Sequence, residues 1–360
     1  MVTLGRISPR WRKAMVRVKI VGATGYGGIG LLERLLSHPE AKVVCLTDLL
    51  DVGQPISQVY PHLTGFCDLR VQAPGEEVEE EKPDVVFFAT PDGVAMQEAR
   101  RYLEQGIKVI DYSGDFRFRT AQEHDAWYPI PHTAPDLLEQ AVYGLPELNR
   151  EAIRQANLVA NPGCFAVAAL LGWTPAVAEG LLDLSSLVCD AKTGVSGAGK
   201  KPVATHHFPA RNENMNAYRI VGHRHAGEIE QELGRWAGRP LRISFVPQVV
   251  PLTRGIMACL YGRLVRSVRA EEVRELYREF YRHSPFVRVR EGEECPGVLA
   301  VRMSNFCDLT IVVDQRTERL IVISCLDNLV KGQAGNALQN MNLMFGLDER
   351  LGLWDFGKYP

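Results

Sequence analysis

Asn161-Pro-Gly-Cys164 sits between a short apolar segment, Leu158 to Ala160, and an apolar run, Ala166 to Trp173. Asparagine is a good helix cap and proline suits the first helical position, so the spacing predicts a helix capped at Asn161. Cys164 then falls in the first turn, where free amides and the helix dipole favour a thiolate and an oxyanion. A nucleophilic cysteine there could form an acyl thioester. The plain alternative is a structural cysteine in a capped helix. His223-Arg-His225 precedes the amphipathic stretch Glu228 to Glu232, and a histidine can take the thiol proton and return it to substrate. His206-His207 competes for that role. Arg224 can meet an anionic substrate or face solvent. No third ligand at a metal-like spacing accompanies either histidine pair, so no metal is expected.

A second chemistry is written near the start. Gly22, Gly25 and Gly28 separate a predicted strand, Val16 to Val21, from a helical stretch, Ile29 to Leu36. Glycines there let backbone approach a pyrophosphate at a helix N-terminus, as in dinucleotide sites. Asp48 follows Gly28 by 20 residues, at the end of the next strand. An acidic side chain there pairs with ribose hydroxyls and favours NAD, although a loop or capping aspartate reads equally well. Thr193 to Lys201 is a further glycine-rich turn that lacks the gap of an ATP-binding loop. Its amides, Ser196 and two lysines suit the other half of a cofactor or a phosphorylated substrate. Arg117, in Asp111-Tyr-Ser-Gly-Asp-Phe-Arg117, leaves a strand end and can hold phosphate or carboxylate, or pair with Asp111 or Asp115.

These residues need a scaffold. The chain has 360 residues, 46% hydrophobic and 23% charged, with net charge -2. That composition fits a soluble protein and provides no field that gathers nucleic acid or membrane. Eight cysteines stand singly, which suggests reduced thiols in a cytoplasmic protein. Strands alternate with helices through Val85 to Ala89 and Lys108 to Asp111, which predicts a parallel, doubly wound sheet. From about Leu187 the strands Leu241 to Phe245, Ile256 to Leu264, and the hairpin Leu309 to Val313 with Leu320 to Ser324 predict a mainly antiparallel sheet. The fold class is therefore α/β plus α+β, with a Rossmann-type domain and a second domain. In the closing stretch Asp327 to Met344, Leu329, Leu338, Met341 and Met344 are expected to point inward. The acidic run Glu76 to Glu81 reads as a solvated loop or helix face. Residues 1–15 read as a disordered basic extension without a signal peptide.

The chain resembles the N-acetyl-gamma-glutamyl-phosphate reductase family, related to aspartate-semialdehyde dehydrogenases. The resemblance rests on Gly22-Ala-Thr-Gly-Tyr-Gly27, Asp115-Phe-Arg117, Asn161-Pro-Gly-Cys164, Gly194-Val-Ser-Gly-Ala-Gly199 and His223-Arg-His225. Val250-Pro-Leu-Thr-Arg-Gly255, Asn305-Phe-Cys-Asp308 and Asp327-Asn-Leu-Val-Lys-Gly332 add to it. It implies NADPH-dependent reduction of N-acetyl-gamma-glutamyl phosphate to the semialdehyde in arginine biosynthesis, with Cys164 as nucleophile and His223, or its rival His225, as acid/base. Substrate contacts are expected at Arg117, Ser196, Arg224 and His225. Cofactor contacts are expected at Gly22, Thr24, Gly25, Tyr26, Gly27, Asp48, Ser196, Gly197 and Asn328. The resemblance also implies a homotetramer or dimer, and a division into residues 16–160 plus 326–360 for the dinucleotide and 161–325 for catalysis and oligomerisation. Two departures stand out. Asp48-Leu49 replaces the family's Ser-Arg, removing a cation for a 2′-phosphate and keeping NAD open. Phe165-Ala-Val167 replaces Tyr-Pro-Thr. A relative acting on carrier-linked aminoadipyl phosphate has Gly-Ala-Gly-Cys, which Asn161-Pro-Gly-Cys164 argues against. A non-catalytic dinucleotide sensor is the alternative of a different class.

Overall fold

The computed structural model describes residues 15–78, 81–295 and 297–359. The predicted extension, apart from Met15, lies outside the described residues, as do Glu79 and Glu80 of the acidic run. The strands of the first half are β1 (Val16–Val21), β2 (Ala41–Thr47), β3 (Val71–Gln72), β4 (Val85–Phe88), β5 (Lys108–Asp111), β6 (Val142–Tyr143) and β7 (Leu158–Ala160). They form one sheet in the order β3-β2-β1-β4-β5-β7-β6, with every pairing parallel. β4 is buried along its whole length, as a strand covered on both faces must be. On one face lie the Tyr26–Leu35 helix and the last helix, Gly335–Met344, whose Leu32, Leu338 and Met341 pack with Val18 and Ile20. The Ala95–Leu103 helix covers the other face through Ala95, Met96 and Ala99. The strand order reverses between β1 and β4, and ligands enter such sheets at that crevice.

The second sheet comprises β8 (Leu182–Thr193), β9 (Asn216–Ala217), β10 (Ser244–Val249), β11 (Ile256–Leu264), β12 (Val287–Val289), β13 (Cys307–Asp314) and β14 (Arg319–Leu326). Its order is β12-β13-β14-β11-β8-β10-β9. It is mixed: the central pairings are antiparallel, while β12 with β13 and β10 with β8 run parallel. The Cys164–Ala178 helix is apolar all round and buries itself between this sheet and neighbouring helices. Gly172 allows the close approach, since a Cβ there would stand 2.1 Å from a Leu260 methyl. On the opposite face Val188, Tyr261 and Ile321 stand side by side, half-buried.

Three sequence expectations change. The strand predicted at Leu241 to Phe245 begins at Ser244, because the Ile243 amide donates to the Glu230 carboxylate at 3.0 Å. β8 went unread, because Asp183, Ser185, Asp190 and Lys192 interrupt its apolar positions. The acidic run is not wholly solvated: Glu77 accepts from the buried Lys19 ammonium at 3.2 Å. Leu338, Met341 and Met344 point inward as read, whereas Leu329 is half-buried in a cavity wall. No helix among the described residues is long and apolar enough to cross a membrane.

Candidate active site

A cavity of about 930 Å³ opens at the crevice between the two sheets, a size suited to a cofactor with its substrate. It is lined by Cys164, Arg117, Arg224, His225 and all the nominated cofactor contacts, whereas His223 and the rival pair His206 and His207 do not line it.

The nucleotide end is built by the loop after β1. Gly22 has φ 81, and a Cβ on it would stand 2.5 Å from the Ala89 carbonyl. A Cβ on Gly28 would stand 2.3 Å from the Gly22 carbonyl, so the loop folds tightly onto itself. Gly25 is the helix cap, and Tyr26 and Gly27 in the first turn line the cavity, where helix-start amides suit an anion. Asp48 braces this loop: one oxygen accepts from the Thr24 amide and hydroxyl, each at 2.9 Å, and the other from the Leu50 amide at 3.1 Å. Across the cavity, Asn328 donates to Ser196 at 3.0 Å and accepts from the Gly255 amide at 2.7 Å. That pair anchors the turn carrying Ser196 and Gly197.

Cys164 is the first residue of its helix, and the cap is Gly163 rather than Asn161. Asn161 is spent elsewhere. It donates to the Gln333 carbonyl and accepts from Asn336 and Asn340 on the last helix. Behind them Lys331, fully buried, pairs with Glu147 at 2.7 Å and donates to Gln339. A Cβ on Gly332 would come within 2.7 Å of the Cys164 Cβ, so this segment presses directly on the thiol-bearing residue.

Glu228, which the sequence marked only as part of an amphipathic stretch, is fully buried. Its Oε1 accepts from the Gly163 amide at 2.8 Å and from the Tyr143 hydroxyl at 2.7 Å. Its Oε2 pairs with Arg117 at 3.3 Å. Arg117 pairs with neither Asp111 nor Asp115. It donates to the carbonyls of Asn161 at 2.9 Å and Tyr112 at 2.6 Å. Arg117 thus clamps the cysteine loop from below and keeps only part of its donor set for a ligand. Burial pushes the Cys164 thiol up to about 11, against the pull of Arg117 and of the helix-start amides. Desolvation thus outweighs the helix dipole and amides that favour the thiolate.

Both nominated histidines are buried. His223 caps the Arg224–Ala237 helix, accepting the His225 amide on Nδ1 at 3.1 Å. Burial, with Arg224 beside it, lowers His223 to about 4. His225 lines the cavity with Cys164, and its Nε2 would stand 2.3 Å from a Cβ on Gly163. Its buried Nδ1 has no partner, and burial holds the ring well below the usual histidine range. The two rings lie 4.8 Å apart. Arg224 bonds Asp92 and lies 5.3 Å from the Tyr128 ring. His206 and His207 line a neighbouring cavity that Cys164 does not share.

Residues 17–156 match the family model described as semialdehyde dehydrogenase, NAD binding domain, and residues 164–328 match semialdehyde dehydrogenase, dimerisation domain. Solved structures agree on the fold. Aspartate semialdehyde dehydrogenase II complexed with ASA from Vibrio cholerae superposes with TM-score 0.72 at 19% identity, over 93% of this chain and 99% of that one. Aspartate semialdehyde dehydrogenase with NADP from Candida albicans gives 0.70 at 16%, over 92% and 99%. The class is thus that of the semialdehyde dehydrogenases. Among curated proteins, N-acetyl-gamma-glutamyl-phosphate reductase of Desulforudis audaxviator is 48% identical over 96% of this chain and 100% of its own length. That of Pelotomaculum thermopropionicum is 46% identical over 96% and 99%. The chain belongs to the N-acetyl-gamma-glutamyl-phosphate reductase family.

Proposed function

We propose that this chain reduces N-acetyl-gamma-glutamyl phosphate to N-acetyl-L-glutamate 5-semialdehyde and phosphate, with NADPH, as a step of arginine biosynthesis in the cytoplasm. The observation that carries this reading is the single cavity in which a helix-start cysteine faces a glycine-built dinucleotide cradle. The names of the relatives supply the substrate. The closely packed glycines and helix-start amides fit a dinucleotide pyrophosphate, and when bound a reduced nicotinamide supplies hydride. For NADP over NAD, the support is that Asp48 already accepts three hydrogen bonds from the loop, which weakens it as a partner for ribose hydroxyls. We assign the dinucleotide to residues 16–160 with 326–360, and catalysis and oligomerisation to 161–325. The dimerisation model and the half-buried apolar face of the second sheet support a homo-oligomer.

In this reading Cys164 Sγ attacks the acyl carbon, the carbon–oxygen bond to phosphate breaks, and a thioester forms. The thiol at about 11 requires a base as substrate binds, and that proton goes to a neighbouring imidazole. After hydride addition the imidazolium protonates the oxygen or sulfur, and the aldehyde leaves as the thiol re-forms. Backbone amides at the helix start stabilise the oxyanion. Ser196, Arg224 and the spare Arg117 donors hold the phosphate and carboxylate. His223 is the acid/base of the first reading; His225, which lines the cavity, is the second.

The direct test is phosphate-dependent reduction of NADP by N-acetylglutamate semialdehyde, run beside NAD. No reaction with either coenzyme, in protein that binds the dinucleotide, overturns the reading in favour of a sensor. For the proton, His223→Asn and His225→Asn are compared by steady-state kinetics. The acid/base variant is expected to lose about a hundredfold or more in kcat. A loss confined to His225→Asn removes His223 from the role.

A further inference from the structure

The glycine-rich turn after β8 ends in two lysines for which the reaction above has no use. Lys200 reaches back across the cavity onto the cradle of the first sheet. Its Nζ stands 3.5 Å from the Thr24 carbonyl and 4.9 Å from the centroid of the Tyr60 ring. The Tyr60 hydroxyl donates to the same carbonyl at 2.8 Å. On its other side Thr24 donates to Asp48, the residue at the ribose position. Lys200 and Asp48 therefore both contact Thr24 and line the same cavity. The chain at the end of β2 offers no cation there, only Leu49 and Leu50. Among the described residues Lys200 forms no ion pair; its ammonium is held by neutral groups alone, the Thr24 carbonyl, the Tyr60 hydroxyl and the Tyr60 ring face. An ammonium so placed exchanges little when a dianion arrives. The pyrophosphate, in contrast, is served by the amides beyond Gly25.

We propose that Lys200 recognises the 2′-phosphate of NADP(H), so that coenzyme preference is set by the catalytic half of the chain rather than by the end of β2. This rests on reading the cradle as a dinucleotide site. The test is fluorescence titration of the full-length protein with NADPH and NADH, using Lys200→Ala, Lys200→Arg and Lys201→Ala. Lys200→Ala is expected to weaken NADPH about ten- to hundredfold, the range of a charge-assisted hydrogen bond, and NADH less than about twofold. Lys200→Arg restores most of the NADPH affinity, and added salt narrows the preference of the unaltered protein. Equal weakening of both coenzymes makes Lys200 a pyrophosphate contact and overturns the proposal. So does an unchanged ratio, or a loss carried by Lys201→Ala instead. If the unaltered protein binds neither dinucleotide, the reading of the cradle fails and the proposal with it. If it binds both and Lys200→Ala changes nothing, only the proposal fails.

Discussion

Cys164→Ser is expected to reduce turnover at least about a thousandfold while NADPH affinity stays within about twofold. The substitution is nearly isosteric, and Cys164 lies beyond the glycine loop that holds the dinucleotide, so binding has no reason to change. The chemistry does. An alcohol ionises less readily than a thiol, and the ester it would form accepts hydride less readily than a thioester. The burial that already opposes the thiolate opposes an alkoxide more. Fluorescence titration reports binding, and the semialdehyde assay reports turnover. Residual activity above about a hundredth of the original removes the covalent step through Cys164.

Glu228→Gln separates holding the nucleophile from merely holding the fold. The carboxylate joins Gly163, Tyr143 and Arg117, and it pushes the Cys164 thiol upward while Arg117 pulls it down. Glutamine keeps an acceptor for the Gly163 amide but turns donors toward Arg117 and leaves that cation without its counter-charge. Breaking a buried pair costs about 3–5 kcal/mol, read as a lower urea midpoint. Turnover is expected to fall about ten- to a hundredfold as the cysteine loop loosens. Iodoacetamide should alkylate Cys164 faster at pH 8, because one charge opposing the thiolate has gone. A purely structural role predicts slower turnover without that opposite shift in thiol reactivity.

The readable parts of the chain were those whose function is local. The glycine loop shows in the sequence because tight turns demand glycine at particular positions, and Gly22 and Gly28 do meet backbone closely. β11 was legible to its end residues because its apolar run has clear borders. What failed depends on partners far along the chain. The helix cap was misplaced because Asn161 is claimed by Asn336 and Asn340, some 175 and 179 residues away. Glu228 was invisible because its partners, Arg117 and Tyr143, lie 111 and 85 residues earlier in the chain. Nothing in the amphipathic spacing from Glu228 to Glu232 distinguishes a buried acid from a solvated one. The ranking of His223 against His225 likewise depends on which ring the cysteine loop meets, which no spacing reveals.

The packing of the last helix against β1 also bears on how the protein is made. Leu338 and Met341 cover one face of the first sheet, while Asn336 holds the cysteine loop from behind and Lys331 pairs with Glu147. Yet β7, the last-made strand of that sheet, ends at Ala160. A ribosome adding about 5–20 residues per second needs on the order of ten to thirty seconds to travel from there to Lys331. Throughout that interval Val18 and Ile20 lack their final cover, and a nascent chain carrying a nearly complete parallel sheet must be kept from its neighbours. The enzyme's first half is the first to be translated and the last to close.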